Sequence, residues 1–158
     1  GLGVGANDAE AVLRSLPSMA LRYRAHDQAT RQLVNWAQSQ TQFAQVLHPA
    51  LPDSPGHRHW LNLCQAEVGG AAGLFSVIFQ PHFSVNQIDA FCDALKLFKI
   101  GYSWGGPMSL VVPYDLTSMR SDWPRYLEHG TLVRFSIGLE AACDLQADLA
   151  QALQRVFK

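Results

Sequence analysis

Four stretches of the chain carry apolar residues at helical spacing, and four shorter ones carry them in the alternating or continuous runs of strands. Asn7 or Asp8 stands where it would cap a short helix running through Leu16, which Pro17 then interrupts by removing a donor and crowding the preceding turn. From Met19 to Gln38, Leu21, Ala25, Ala29, Leu33 and Ala37 recur at every fourth position, while Arg22, Arg24 and Arg31 lie off that stripe. This predicts a long amphipathic helix. Phe43 to His48 reads as a short strand running into a proline- and glycine-rich loop, Pro49 to Gly56. Leu74 to Phe79, apolar on both faces between Gly73 and Pro81, is the clearest strand. Ser84 with Gln87 three residues later forms a capping box that opens a helix with Ile88, Phe91, Cys92 and Leu95 on one face. Ser109 to Tyr114 and Leu132 to Ile137 are two more strands, separated by an irregular segment long enough to serve a site or a subunit contact. The final helix, Ala141 to Phe157, repeats Leu145, Leu149, Leu153 and Val156. Asp144 lies near its positive end, and Arg155 and Lys158 near its negative end.

Strands and helices are thus mixed without strict βαβ alternation. The economical architecture is an α/β domain of the α+β type: a small, mostly antiparallel sheet with helices packed on one face and the other face open to a partner. At 158 residues the chain fits one domain and can bury roughly 70% of its unfolded surface without a disulfide or metal. Only 16% of its residues are charged, so part of the surface is expected to be covered by something else. A net charge of −1 leaves no basic stripe to neutralise a run of phosphates, which argues against nucleic-acid binding. No apolar run approaches a membrane span, and no signal peptide opens the chain. Cys64, Cys92 and Cys143 are widely spaced and unpaired in pattern, and read as reduced, buried thiols of a cytoplasmic protein.

Most of the polar patterns carry no chemistry. The opening Gly1-x-Gly3-x-Gly5 lacks the preceding strand and the third glycine of a dinucleotide-binding turn, and reads as a flexible lead-in. His57-x-His59 has no third ligand at a useful spacing and is expected to be surface or partly packed. His26, His48, His82 and His129 are equally unaccompanied. Two segments differ. Gly101-Tyr102-Ser103-Trp104-Gly105-Gly106-Pro107 is a loop whose backbone can approach a ligand closely and offer N–H groups. In Leu132-Val133-Arg134-Phe135-Ser136-Ile137-Gly138-Leu139-Glu140, alternation puts Val133, Phe135 and Ile137 on one face of the strand and Arg134 on the other. There its guanidinium is a rigid fork suited to a carboxylate. A packing role for Trp104 and a solvent role for Arg134 remain the alternatives on spacing alone.

Together these two segments resemble the C-terminal domain of the pyridoxal-phosphate enzymes of cysteine and methionine metabolism, of fold type I. Leu47-His48-Pro49-Ala50-Leu51-Pro52, Pro55-Gly56-His57 and Gly73-Leu74-Phe75-Ser76 resemble further stretches of that family, in order, over nearly the whole chain. Most members carry Leu where Trp104 stands, and Trp there is typical of bacterial cystathionine β-lyases. The resemblance implies that residues 1–158 are a single substrate-binding domain whose N-terminal cofactor-binding domain is absent from the chain. It implies that Arg134 binds the substrate α-carboxylate, that Ser103 and Trp104 lie beside it, and that Tyr102 lines the pocket. The implied reaction is elimination on cystathionine to homocysteine, pyruvate and ammonia.

The implied cofactor is pyridoxal phosphate, held as a Schiff base by a lysine in the cofactor domain. Lys96, Lys99 and Lys158 are the chain's lysines, and none stands in the family's lysine context. The chain alone is therefore expected to bind no cofactor and to catalyse nothing. Its implied partners are its own cofactor domain, sister subunits in a homo-tetramer and a sulfur amino-acid substrate. The sequence departs from the family at Pro107 and Met108, at Arg14 to Met19, and at Leu61-Asn62-Leu63, which bears on the substrate rather than the family. The competing expectations are a γ-synthase or γ-lyase of the same family, and a stand-alone α+β binding or assembly module without catalysis.

Overall fold

The computed structural model describes residues 3–64, 70–119 and 121–157; Gly1, the first of the opening glycines, and Lys158 lie outside the described residues. Helix α1 spans Ala6–Ser15 and is followed by a 3₁₀ turn, Leu16–Ser18, that carries Pro17. The cap of α1 is Gly5, with no side-chain hydrogen bond, so neither Asn7 nor Asp8 caps it. Helix α2 spans Met19–Ala37, β1 Phe43–Leu47, α3 His57–Cys64 and β2 Leu74–Phe79. Helix α4, Val85–Ala94, opens on the expected capping box: the Ser84 side chain accepts from the Gln87 N–H and the Gln87 side chain accepts from the Ser84 N–H. Then come β3 (Lys99–Ile100), β4 (Leu110–Tyr114), the one-turn α5 (Leu116–Met119), β5 (Leu132–Ser136) and α6 (Ala142–Val156).

The five strands form one sheet in the order β1-β2-β5-β4-β3, antiparallel except for the β3–β4 pair. Phe75, Val77 and Phe79 of β2, Val111 of β4, and Val133 and Phe135 of β5 point to one face. They pack there with Leu33 and Val34 of α2, Ile88 and Phe91 of α4, and Leu145 and Leu149 of α6. Phe75 and Phe135 stack at 4.9 Å, and Phe79 meets Phe43, Phe91 and Phe157 at 4.9, 5.2 and 5.4 Å. The expected helix-covered face is present.

The second face is less bare than the pattern suggests. Ile78, Val112 and Ser136 lie on it and are 0%, 2% and 1% exposed. Two irregular segments cover them. Residues 121–131 are tied to β1 where the Gln45 side chain donates to the Tyr126 carbonyl and accepts from the Glu128 N–H, both at 3.0 Å. Residues 101–109 cross the far end of β5, as described below. Exposed apolar residues include a group at the N-terminal end, Val12 and Leu13 of α1, Leu16, and Met19 and Leu21 of α2; α1 buries no residue at all. The predicted α2 stripe therefore holds only in its second half. Leu21 and Ala25 are exposed, whereas Ala29, Leu33 and Ala37 are buried as predicted, together with His26, Thr30 and Val34.

The cysteines divide. Cys92 is buried, and burial, with Asp89 and Asp93 adding to it, pushes its thiol up to about 12, whereas Cys64 is half-buried and Cys143 exposed. The expectation of three buried thiols holds only for Cys92; Cys143 is exposed because it sits in the first turn of α6, on the side away from Leu145 and Leu149.

Candidate functional site

Strand β5 lies between β2 and β4, and Arg134 is flanked across the ladder by Ser76 and Val112. Alternation sends its side chain to the face opposite Val133 and Phe135. There one terminal nitrogen, Nη2, donates to the Tyr102 carbonyl at 2.8 Å and to the Ser103 carbonyl at 3.3 Å. The guanidinium carbon stands 5.8 Å from the centre of the Tyr114 ring, and that ring meets Tyr102 edge-on at 6.2 Å. Arg134 Nε is buried without a hydrogen-bond partner. Among the described residues the guanidinium pairs with no carboxylate. The guanidinium is thus oriented by two neutral carbonyls and a ring, with one buried donor unused.

The four residues singled out from the sequence thus fall in one place, although not all by their side chains. Tyr102 and Ser103 reach Arg134 through their main-chain carbonyls, while the Tyr102 and Trp104 side chains are 75% and 65% exposed. Gly105 has a φ of +73°, a conformation that glycine adopts without strain, and its N–H reaches the Ser136 hydroxyl at 3.4 Å. Tyr114 and Ser136 were not among the expected site residues. Both follow from the strand alternation once the antiparallel pairing of β4 and β5 is known, since Val112 then faces Arg134 and Tyr114 lies two residues further along β4. Trp104 and Gly105 also border a cavity of about 210 Å³ shared with Met19, Tyr23, Ala72 and Leu74, where Ala72 holds a φ of +59°.

His26, His48 and His57 make contacts within the fold, whereas His59, His82 and His129 are exposed. His26 is buried, with Nδ1 against the Ile137 carbonyl at 2.5 Å, and His57 Nδ1 lies 2.8 Å from the Pro49 carbonyl. His48 is 2% exposed; its Nδ1 accepts from the Ala50 N–H at 3.3 Å, and burial, with the Arg31 charge adding to it, lowers its pKa to about 4. Among the described residues no group of three or more His, Cys, Asp or Glu side chains could hold a metal ion. Among them, too, no helix is long and apolar enough to cross a membrane. Lys99 lies on the edge strand β3 and donates Nζ to the Lys96 carbonyl at 2.7 Å, while Lys158 is outside the described residues.

This fold is that of solved pyridoxal-phosphate enzymes of fold type I. An O-acetylhomoserine (thiol)-lyase of Campylobacter jejuni, solved with a pyridoxyl-lysine, matches with a TM-score of 0.76 at 26% identity, over 98% of this chain and 34% of its own. The chain belongs to the family of Cys/Met metabolism PLP-dependent enzymes, whose model matches residues 1–154. It is 36% identical over 146 residues to a cystathionine beta-lyase of Salmonella typhimurium, covering 90% of this chain and 36% of that protein. It is also 31% identical over 156 residues to an L-alanine/L-glutamate racemase of Wolbachia pipientis, covering 99% of this chain and 38% of that protein. The chain spans somewhat over a third of the length of the curated relatives it matches.

Proposed function

We propose that this chain is the substrate-binding domain of a pyridoxal-phosphate-dependent carbon–sulfur lyase of the cystathionine β-lyase kind. In this reading the enzyme converts cystathionine and water to homocysteine, pyruvate and ammonia, and Arg134 receives the substrate α-carboxylate. The observation that carries it is the guanidinium of Arg134, oriented by two carbonyls and the Tyr114 ring yet left with a buried, unpartnered Nε. The remaining donors of a planar fork match the two oxygens of a carboxylate. When bound, the cofactor supplies a sink for the electron pair that develops at the substrate α-carbon. The residues of this chain fit the amino-acid end of that assembly. Arg134 binds and orients the carboxylate, the carbonyls of Tyr102 and Ser103 hold the fork, and Trp104 and Tyr102 stand exposed where a second domain would close the site and exclude water.

The lysine and the phosphate-binding groups would come from a cofactor domain N-terminal to this one, in a homo-oligomer, a tetramer. The exposed apolar residues Val12, Leu13, Leu16 and Leu21 support a covered surface at that end. A charge-assisted pair of this type contributes about 1.5–3 kcal/mol, and misplacement of the substrate adds to its loss. In the full-length protein Arg134→Ala should lower kcat/KM by about a hundredfold or more, and Arg134→Lys should restore it only in part. Cofactor absorption should stay unchanged. Wild-type turnover in Arg134→Ala, or an unfolded protein, rejects the assignment.

A grip on the carboxylate does not choose which bond at the substrate breaks. Similarity to the racemase favours a second reading, in which the α-proton is removed and returned without loss of the β-substituent. Pyruvate and ammonia from cystathionine support the lyase; racemised alanine without them supports the alternative.

A further inference from the structure

The segment 101–109 is held against the end of β5 at three levels. At the first, Arg134 meets the carbonyls of Tyr102 and Ser103, and at the second the Gly105 N–H meets the Ser136 hydroxyl. The third is built from residues with no part in the carboxylate contact. The Leu139 N–H donates to the Pro107 carbonyl at 2.8 Å, and the Gly138 N–H donates to the Ser109 hydroxyl at 2.8 Å. Ser109 then gives both of its own donors to one side chain: its N–H to Glu140 Oε1 at 2.9 Å and its hydroxyl to Glu140 Oε2 at 2.8 Å. Ser109 is 0% exposed. A Cβ on Gly138 would lie 2.3 Å from the Pro107 carbonyl oxygen and 2.6 Å from the Met108 carbonyl carbon, so the two segments cross this closely only because Gly138 has no side chain.

The direction of each bond determines what can replace Glu140. The Ser109 hydroxyl already accepts the Gly138 N–H, so its proton points to Glu140, and the Ser109 N–H points there too. The two donors meet separate oxygens of Glu140, and an amide in its place would turn an NH2 donor toward one of them. We propose that Glu140 is a positioning residue. Through Ser109 it sets the height of the 102–105 turn over β5, and thereby the place of the two carbonyls that aim Arg134. This rests on the reading of Arg134 as the carboxylate receptor.

The test is a double-mutant cycle in the full-length protein with cystathionine as substrate. Glu140→Gln should lower kcat/KM about tenfold, mainly by raising KM, with cofactor absorption unchanged. The double variant Glu140→Gln/Arg134→Ala should be no worse than Arg134→Ala alone, because Glu140 acts through that side chain. If the two losses multiply, or Glu140→Gln retains wild-type KM, Glu140 does not position Arg134 and the proposal is overturned while the carboxylate reading stands. If Arg134→Ala alone keeps wild-type turnover, the carboxylate reading itself fails. Should Glu140→Gln not fold, Ser109→Ala, which removes one hydroxyl from the same contact, enters the same cycle with the same outcomes. Hydrogen exchange on the 158-residue chain adds a direct readout. Either variant should speed exchange of the Gly105 and Leu139 amides while leaving β2 protected, and unchanged exchange at Gly105 overturns the proposal.

Discussion

Asp148 should be the polar side chain whose removal most weakens this domain. It lies on α6, 5% exposed, and its carboxylate gathers the N–H groups of the turn between α4 and β3. Lys96 N donates to it at 2.9 and 3.0 Å, Leu97 N at 2.7 Å and Phe98 N at 3.4 Å, with the Gln151 amide adding a bond at 3.1 Å. The turn matters because Phe98 follows it and packs its ring edge-on against Phe135 at 5.4 Å in the core. Asp148→Ala leaves these amides without their acceptor. Each unpaired buried group costs about 1–3 kcal/mol, and water can reach the amides of the exposed Lys96 and Leu97, so a net loss of about 3 kcal/mol is expected. For a domain of this size that corresponds to a fall in Tm of about 6–12 °C. Asp148→Asn keeps one acceptor oxygen but turns an amide donor toward other donors, and should cost about 1–2 kcal/mol. Urea unfolding followed by circular dichroism gives both values, with an unchanged m showing that the unfolding reaction is the same. A loss below about 0.5 kcal/mol in Asp148→Ala would refute the reasoning, since water would then satisfy the turn as well as the carboxylate does.

His48 should make the domain acid-sensitive. Its folded pKa of about 4 lies below the ordinary 6.5, so between those values the unfolded chain binds the extra proton. Its contribution is complete above pH 6.5 and is lost as the pH falls toward 4; unfolding across this window should show a fall that His48→Phe reduces, and equal slopes would contradict it. Mixed with pyridoxal phosphate, the chain by itself should form no stable visible band that borohydride fixes to one lysine. Stoichiometric labelling of Lys96 or Lys99 would show that it holds the cofactor unaided.

Much of the fold could be read from side-chain pattern because its elements bury one face. The Ser84–Gln87 capping box forms as spaced, and the alternation in β5 sends Arg134 away from Val133 and Phe135 as expected. What escaped was held by interactions that leave no periodic trace. Near its middle α2 buries polar residues that satisfy themselves, His26 on the Ile137 carbonyl and Thr30 on the His26 carbonyl, so the apolar stripe misplaces that face. Helix α3, His57–Cys64, buries no residue and follows a proline-glycine turn, so nothing in the spacing marks it. Strand β3 is two exposed residues in parallel pairing, too short for any period. At the candidate site, the residue types of the 102–104 loop and Arg134 were legible. Their joining through main-chain carbonyls was not, because every residue has one. The roles of Ser109 and Glu140 depend on a crossing that only the folded chain creates.

The central claim is that Arg134 is the receptor for a substrate carboxylate, and a structure of the full-length protein with an unreactive amino-acid analogue tests it most directly. The account predicts the α-carboxylate oxygens within about 3 Å of the Arg134 guanidinium, as a charge-assisted fork requires, with the Tyr102 and Ser103 carbonyls still on Nη2. An analogue whose carboxylate is held by other groups, with Arg134 directed to solvent, would contradict it.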